Sequence, residues 1–386
     1  MSADKLLSLV KVASIPKDVQ KLLDESIGII KGISDKDLAV LEQQGFMKVK
    51  DLVAISNYEK IQKVIDSLVL DKAVTTARII NSVAKQKPLA TGKKVIVAGL
   101  DAAGKTTIIK TILDPINYKP GDEKPTKGID FEKLELFGFN INLWDLGGQP
   151  VYREEYLSGE NSDRHFGFTN LFIYIIDIQA PKRFKEAYNY LSRIANIYRH
   201  LEETPFCLIL IHKSDPKMNP KDIQKDTEEI KREIKSILSG FMVEFFNTSV
   251  FDRKSLFPAI SKGFREISMV KPILEGILKT TQERIDAKMI SLYDKTGICA
   301  AEIGTPNNLL KTFTLNVILS EELGIFPAEA TKLILALKDG DFCLVERIQS
   351  KNDQFYLAWQ AGANPEALIH PPLIKEIEPW IINFLH

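Results

Sequence analysis

Up to about Lys87, apolar residues recur at three- and four-residue spacing, as in Val19, Leu22, Leu23, Ile27 and Ile30, with short Gly or Ser-Asp breaks between segments. That period predicts an all-helical domain over residues 1–88. The stretch LATGKK, Leu89 to Lys94, reads as a linker, after which the pattern changes to short apolar or alternating runs separated by helical ones: KVIVAG, FEKLELF, FNINLWD, LFIYIID and FCLILIH. Such alternation predicts an α/β sheet with helices on both faces over residues 92–270, closed by a helix with Leu256, Ile260, Phe264 and Ile267 on one side. Beyond Lys271 the chain restarts with a helix, then two strand-like runs about a turn (KMISLYD, GICAAEI), a helix from Leu309 to Glu322, further strands and a last helix ending at Leu385. Asp339-Gly340 and Asn352-Asp353 read as hairpin turns, so residues 275–386 form a separate α+β domain.

Composition narrows this picture little. A chain of 386 residues accommodates two or three such domains, and 51 basic residues balance 51 acidic ones, which excludes a global field that recruits nucleic acid or anionic membrane. Cys207, Cys299 and Cys343 lie far apart, with neither disulfide nor metal spacing, and read as core residues of a reducing cytosol. No apolar run reaches the roughly 18–20 residues that span a bilayer, and the start MSADKLLSLVKVA lacks a signal-peptide core. With no Gly after Met1 and no C-terminal prenylation Cys, the expectation is a cytoplasmic protein whose membrane contact runs through partners or the N-terminal helix.

Chemistry concentrates at Gly99-Leu100-Asp101-Ala102-Ala103-Gly104-Lys105-Thr106, which fits G-x-x-x-x-G-K-[ST] between the strand KVIVA and the helical KTTIIKTIL. Polyphosphate needs many donors without bulky side chains. Backbone N–H groups from Asp101 to Thr107 supply them, the helix start adds its dipole, Lys105 reaches β and γ oxygens, and Thr106 holds Mg²⁺. The base reader falls at His212-Lys213-Ser214-Asp215: the Asp215 carboxylate can accept from both N1–H and the amine of guanine, a pair that adenine lacks. Lys213 lies along the base, and backbone N–H groups of Thr248, Ser249 and Val250 are placed to meet the guanine O6. His212 is either a guanine-side residue or the buried end of a strand. In Trp144-Asp145-Leu146-Gly147-Gly148-Gln149, Asp145 can orient Mg²⁺, the Gly148 N–H can meet the γ-phosphate and Gln149 can position an attacking water. Thr126 is the second hydroxyl on Mg²⁺. Gln149, Lys105 and Thr126 are thus the candidate catalytic residues, with GTP/GDP and Mg²⁺ as ligands.

From Gly99 to Gln149 the chain resembles Arf-family GTPases, through GLDAAGKTT and PTKGIDFEKLELFGFNINLWDLGGQ. NLWDLGGQ, LFIYIIDIQ and above all HKSD resemble the Rag/Gtr GTPases, which place His where others place Asn. The resemblance covers about half the chain and implies a Ras-like P-loop GTPase domain: a regulatory switch with activating factors, exchange factors and effectors as partners. Asp101, as in Arf proteins, crowds the approach of an arginine finger, and no Arg is obviously placed to serve in cis, so hydrolysis is expected to be slow. KMISLYDKTGICAAEIG and the helix after it resemble a roadblock/longin-like domain, which implies homo- or heterodimerisation. Residues Ile30 to Lys85 resemble the paired helix-hairpin-helix modules of archaeal recombinases, with a second hairpin near Asp71 to Ile80. Ile33-Ser34-Asp35-Lys36 lacks the Gly-x-Gly that brings backbone to a DNA phosphate, which favours protein contact over DNA. The rival readings are a GTP-binding scaffold with negligible hydrolysis and a DNA-associated P-loop ATPase.

Overall fold

Short helices open the chain because their termini are locally satisfied. In the computed structural model, which describes residues 9–12, 14–16, 19–53, 55, 61, 65–84, 92–121, 123–137, 139–216, 219–322, 331–349 and 354–362, 3-10 turns at Val19–Leu23 and Ile27–Ile29 lead into α1 (Asp35–Gln43), α2 (Val49–Val53) and α3 (Ser67–Ala84). Ser34 caps α1 in a capping box with Asp37, whose carboxylate accepts from the Ser34 backbone N–H. Asp71 to Ile80, where a second hairpin was expected, lies wholly inside α3. The reason is an uninterrupted apolar stripe, Leu70, Ala73, Val74, Ala77 and Ile80, all buried, with no Gly or Pro to break it.

The next region is a six-stranded sheet of β1 (Lys93–Gly99), β2 (Ile129–Leu136), β3 (Phe139–Leu146), β4 (Leu171–Asp177), β5 (Phe206–His212) and β6 (Val243–Thr248), in the order β2-β3-β1-β4-β5-β6. Only β2 runs antiparallel to its neighbour; the other pairs are parallel. Strands β4 and β5 are buried almost throughout, because helices cover both faces, and that is why they read as continuous apolar runs. Alternate residues divide between the two faces. Val95, Val97, Leu171, Ile173 and Leu208 pack with α4 (Lys105–Leu113) on one side, whereas Ile96, Phe172, Tyr174 and Ile209 form a second core on the other. Helices α5 (Pro150–Tyr156), α6 (Gly159–Phe166), α7 (Phe184–His200) and α8 (Pro220–Ile237) supply residues to this second core, and α9 (Arg253–Ile267) returns to the first. Because β1 lies between β3 and β4, the carboxyl ends of these strands open at a topological switch point, where such sheets bind ligands.

The remaining described residues form α10 (Lys271–Ile285), β7 (Ala287–Asp294), β8 (Cys299–Gly304), α11 (Asn308–Glu322), β9 (Lys332–Ala336), β10 (Phe342–Gln349) and β11 (Gln354–Ala361). The five strands make an antiparallel sheet in the order β8-β7-β11-β10-β9. Gly340 turns the chain between β9 and β10 with φ +87°, a backbone angle that glycine adopts without strain. The Asn352-Asp353 turn and the last helix lie outside the described residues. All three cysteines are buried and free, and among the described residues no helix is long and apolar enough to cross a membrane.

Helix α3 packs along α10 through a polar seam. Arg78 donates to Thr280 Oγ1 at 2.9 Å and pairs with Glu283, and Arg284 pairs with Asp71 at 3.0 Å. Arg78 is buried, so its charge depends on Glu283 for compensation. Arg78→Glu would set two carboxylates against each other. Thermal unfolding of that variant followed by circular dichroism is expected to begin earlier, with roughly 3 kcal/mol lost; an unchanged melt would show that the seam carries no load.

Candidate functional site

The segment after β1 cannot carry bulk. At Gly99 an added Cβ would overlap the backbone carbonyl of Ile175 on β4, and at Gly104, with φ +96°, it would fall 2.8 Å from the His212 ring. Gly104 is the N-cap of α4 and leaves the first turn of the helix pointing into a cleft. Asp101, Ala102, Gly104, Lys105, Thr106 and Thr107 line that cleft together with Thr126, Gly148 and Gln149. Ala103 is buried, its N–H bonded to the Leu100 carbonyl.

Lys105 is also buried and bends back on its own loop, its Nζ donating to the carbonyls of Gly99 (3.1 Å) and Leu100 (2.8 Å). Burial pushes its ammonium down to about 8, opposed by the nearby Asp145 carboxylate. Three oxygens then converge beside it. Thr106 Oγ1 lies 2.8 Å from Thr126 Oγ1 and donates to Asp145 Oδ2 at 2.5 Å, and Thr126 donates to the same oxygen at 3.2 Å. Residues 19 to 39 apart in sequence thus meet at one point, the three that the motif reading offers as Mg²⁺ ligands. Asp145 Oδ1 is buried with no hydrogen-bond partner, and burial raises the carboxyl pKa. An orphaned carboxylate oxygen among hydroxyls is a donor set suited to a hard divalent cation.

The base-side residues converge as well. Asp215 accepts from Ser249 Oγ at 2.5 Å and from Gln179 Nε2 at 2.9 Å, so its carboxylate is fixed before any ligand enters. Lys213, at φ +59°, bridges the Ala102 carbonyl and Asp177, each at 2.7 Å, and ties the base segment to the phosphate loop. His212 is 1% exposed; its Nδ1 lies 3.0 Å from Thr248 Oγ1 and its ring lies beneath Gly104. His212 is thus a buried strand end that contacts both the Thr248 segment and the phosphate loop. The Ser249 N–H donates to Ser255 Oγ rather than into the cleft, so the expectation that it meets the guanine O6 is corrected; in the same segment the Ser249 hydroxyl holds Asp215. Val250 follows, half-buried.

Gln149 is the N-cap of α5 and half-buried at the edge of the cleft. The Gly148 carbonyl accepts from the Asp101 N–H at 3.1 Å, which presses this segment on the phosphate loop. Arg183 was not found by sequence: it precedes α7, and donates to the Asp101 carboxylate at 2.6 Å and to the Asp101 carbonyl at 3.2 Å. Arg183 thus stands beside the phosphate loop, tied to Asp101 and Glu186, and is not among the residues that line the cleft. Gln179 and Asp177 were missed too, although both lie in the quoted run LFIYIIDIQ; only their position after an apolar strand signals them.

The fold and the convergent loops define a P-loop nucleotide-binding domain of the small-GTPase type. A family profile described as Gtr1/RagA G protein conserved region matches residues 94–315, more than half of the chain, and the chain belongs to that family. It is 29% identical over 210 residues to Ras-related GTP-binding protein A of Dictyostelium discoideum, covering 53% of this chain and 67% of that protein. It is also 35% identical over 94 residues to ADP-ribosylation factor-like protein 3 of Chlamydomonas reinhardtii (24% and 48%). Against ADP-ribosylation factor-like protein alp41 of Schizosaccharomyces pombe the figures are 33% over 122 residues (32% and 60%). The chain thus spans between about half and two thirds of these relatives' own length. Among solved structures, the Arl6 BBS3 small GTPase from Trypanosoma brucei with bound GppNp aligns at 17% identity and TM-score 0.36, covering 46% of this chain and 98% of that one.

Burial holds the His212 imidazole near pKa 4, with the Lys213 charge adding to the shift, so it is neutral at pH 7. In the unfolded chain it takes up a proton near pH 6.5. The unfolded state then binds more protons between these values, and folded stability falls as pH drops from about 6.5 toward 4. His212→Gln cannot titrate. The melting-temperature gap between wild type and this variant should shrink as pH falls from about 7.5 to 5; a constant gap would contradict a neutral, buried His212.

Proposed function

We propose that this protein is a regulatory GTPase, a Rag- and Arf-like switch that binds GTP or GDP with Mg²⁺ and hydrolyses GTP slowly. One observation carries the reading: the Thr106–Thr126–Asp145 cluster meets a glycine-lined cleft, and the segment of the Ser249-held Asp215 is tied to the same phosphate loop by the Lys213 bond to the Ala102 carbonyl. Asp215 would accept from N1–H and the amine of guanine, and Lys105 would leave the carbonyls of Gly99 and Leu100 for β and γ oxygens. Thr106, Thr126 and Asp145 would hold Mg²⁺, whose charge offsets that of the phosphates. Gln149 orients a water onto the γ-phosphorus; the bond to the β–γ bridging oxygen breaks, giving GDP and phosphate. Asp101 and Arg183 fill the flank an external arginine would use, which supports slow turnover without an activating partner.

The strand order β8-β7-β11-β10-β9 supports a roadblock/longin-like C-terminal domain, and β9, an outer strand with Ile334 half exposed, supports pairing with itself or a paralogue. The Ser34–Asp37 capping box supports protein contact rather than DNA for the N-terminal helices, since it places a carboxylate where a phosphate would approach. A cytoplasmic place, with exchange factors, activators and effectors as partners, completes the proposal.

The test is a nucleotide panel read by thermal shift with Mg²⁺ present, followed by single-turnover hydrolysis. GTP and GDP should stabilise the chain and ATP should not, and Asp215→Asn should move preference toward xanthosine triphosphate. Gln149→Leu should slow turnover by roughly 10²-fold or more. Preference for ATP would reject the reading in favour of a P-loop ATPase. Equal turnover in wild type and Gln149→Leu would favour a GTP-binding scaffold.

A further inference from the structure

Helix α5 is two turns long and too short to hold its own shape in water, so something else must fix it. Its buried anchors are Tyr156, which donates to the Gly128 carbonyl at 2.6 Å, and Arg153. Arg153 is 7% exposed, lies over the Tyr190 ring at 5.2 Å and leaves its Nε without a partner. Among the described residues its charge pairs with Glu186 Oε1 on α7. The other Glu186 oxygen accepts from Arg183 Nε at 3.1 Å, and Arg183 in turn grips Asp101 by both carboxylate and carbonyl.

These contacts close a ring. From Asp101 the path runs through its N–H to the Gly148 carbonyl, along the chain through Gln149 into α5, from Arg153 to Glu186, and back through Arg183 to Asp101. Gln149 lies between the two attachments, one residue after Gly148 and four before Arg153. Glu186 is the joint where the two arginines meet. Without it two like charges face each other across α7, one of them buried, and the cost of an uncompensated buried arginine falls on α5.

We infer, resting on the hydrolytic reading above, that Glu186 is a positioning residue: it holds Gln149 against the phosphate loop through Arg153 and Arg183. Its effect is on turnover and not on nucleotide affinity, because neither Glu186 nor Arg153 lines the cleft. The experiment uses the full chain with GTP and Mg²⁺, measuring single-turnover phosphate release, fluorescent GTP and GDP affinity, and thermal melting. Glu186→Gln should lower the turnover rate by roughly tenfold to a hundredfold, as a displacement of about 1 Å does, with affinity held within about twofold. Arg183→Lys, at the more exposed end of the ring, keeps the charge but loses the fork, and should lose rate in the same sense without a folding defect.

Combination with Gln149→Leu separates positioning from a structural role. Groups that act as one unit do not lose rate twice, so Glu186→Gln/Gln149→Leu should match Gln149→Leu alone. Multiplied losses in the double variant, or wild-type turnover in both Glu186→Gln and Arg183→Lys, would overturn the proposal and leave the GTPase reading intact. Parallel losses of affinity and melting temperature in both single variants would also overturn it, as a folding effect. A wild type that binds GTP and never turns it over would reject the hydrolytic reading itself, and this proposal with it.

Discussion

Three backbones meet at the cleft with no room for side chains, and the rest of the site depends on that approach. The loop after β1 touches β4 at Gly99, the Gly148 segment rests on Leu100 and Asp101, and the base segment rises beneath Gly104. A Cβ at any of the three would overlap backbone or the buried His212 ring. Phosphate oxygens are bound by backbone N–H groups, which reach a ligand only where side chains do not stand between. The same proximity lets Lys213 bond the Ala102 carbonyl and lets the Asp101 N–H bond the Gly148 carbonyl, so the three loops are already coupled.

Charges around this contact are balanced in pairs rather than by solvent. Lys105 faces Asp145, Arg183 faces Asp101, and Arg153 faces Glu186. Each pair has at least one member well buried or half-buried, where an uncompensated charge costs several kcal/mol. Lys105 and Asp145 are the pair with spare capacity: the lysine spends its donors on loop carbonyls, and one carboxylate oxygen has no partner. On the reading proposed above, a triphosphate with a divalent cation would supply what both lack, an anion and a cation. Arg183 and Arg153 instead share the two oxygens of Glu186, which fits a holding function.

What could be read from sequence was what local chemistry fixes. The phosphate loop carries its glycines and lysine within eight residues, and the apolar runs of β4 and β5 reflect burial on both faces, so both were visible without any fold. Thr126 and Asp145 were legible because their segments have recognisable order along the chain. Arg183, Glu186 and Arg153 were not: Arg183 meets Asp101 across 82 positions, and an arginine followed by a glutamate three residues later looks like any solvated helix start. The misreading of Asp71 to Ile80 has a related cause. Asp71 and Arg78 in that stretch are buried and pair with residues of α10 some 200 positions away.

Helix α9 shows why the nucleotide domain and the C-terminal sheet need to be considered together. Leu256, Ile260 and Phe264 belong to the core beneath β4 and β5, while on the same helix Ser261 accepts from the Cys299 N–H at 2.9 Å and Arg265 pairs with Glu302 on β8. Lys311 on α11 pairs with the other Glu302 oxygen at 2.8 Å, so one carboxylate joins α9, β8 and α11. The family match, ending at residue 315, runs past α9 and through β8 into α11, and therefore includes this joint rather than stopping at the edge of the first sheet. Any displacement of α9 must disturb the apolar core on one side and these polar contacts on the other. Because packed cores shift between discrete arrangements and do not deform smoothly, α9 joins the first sheet and the outer sheet mechanically.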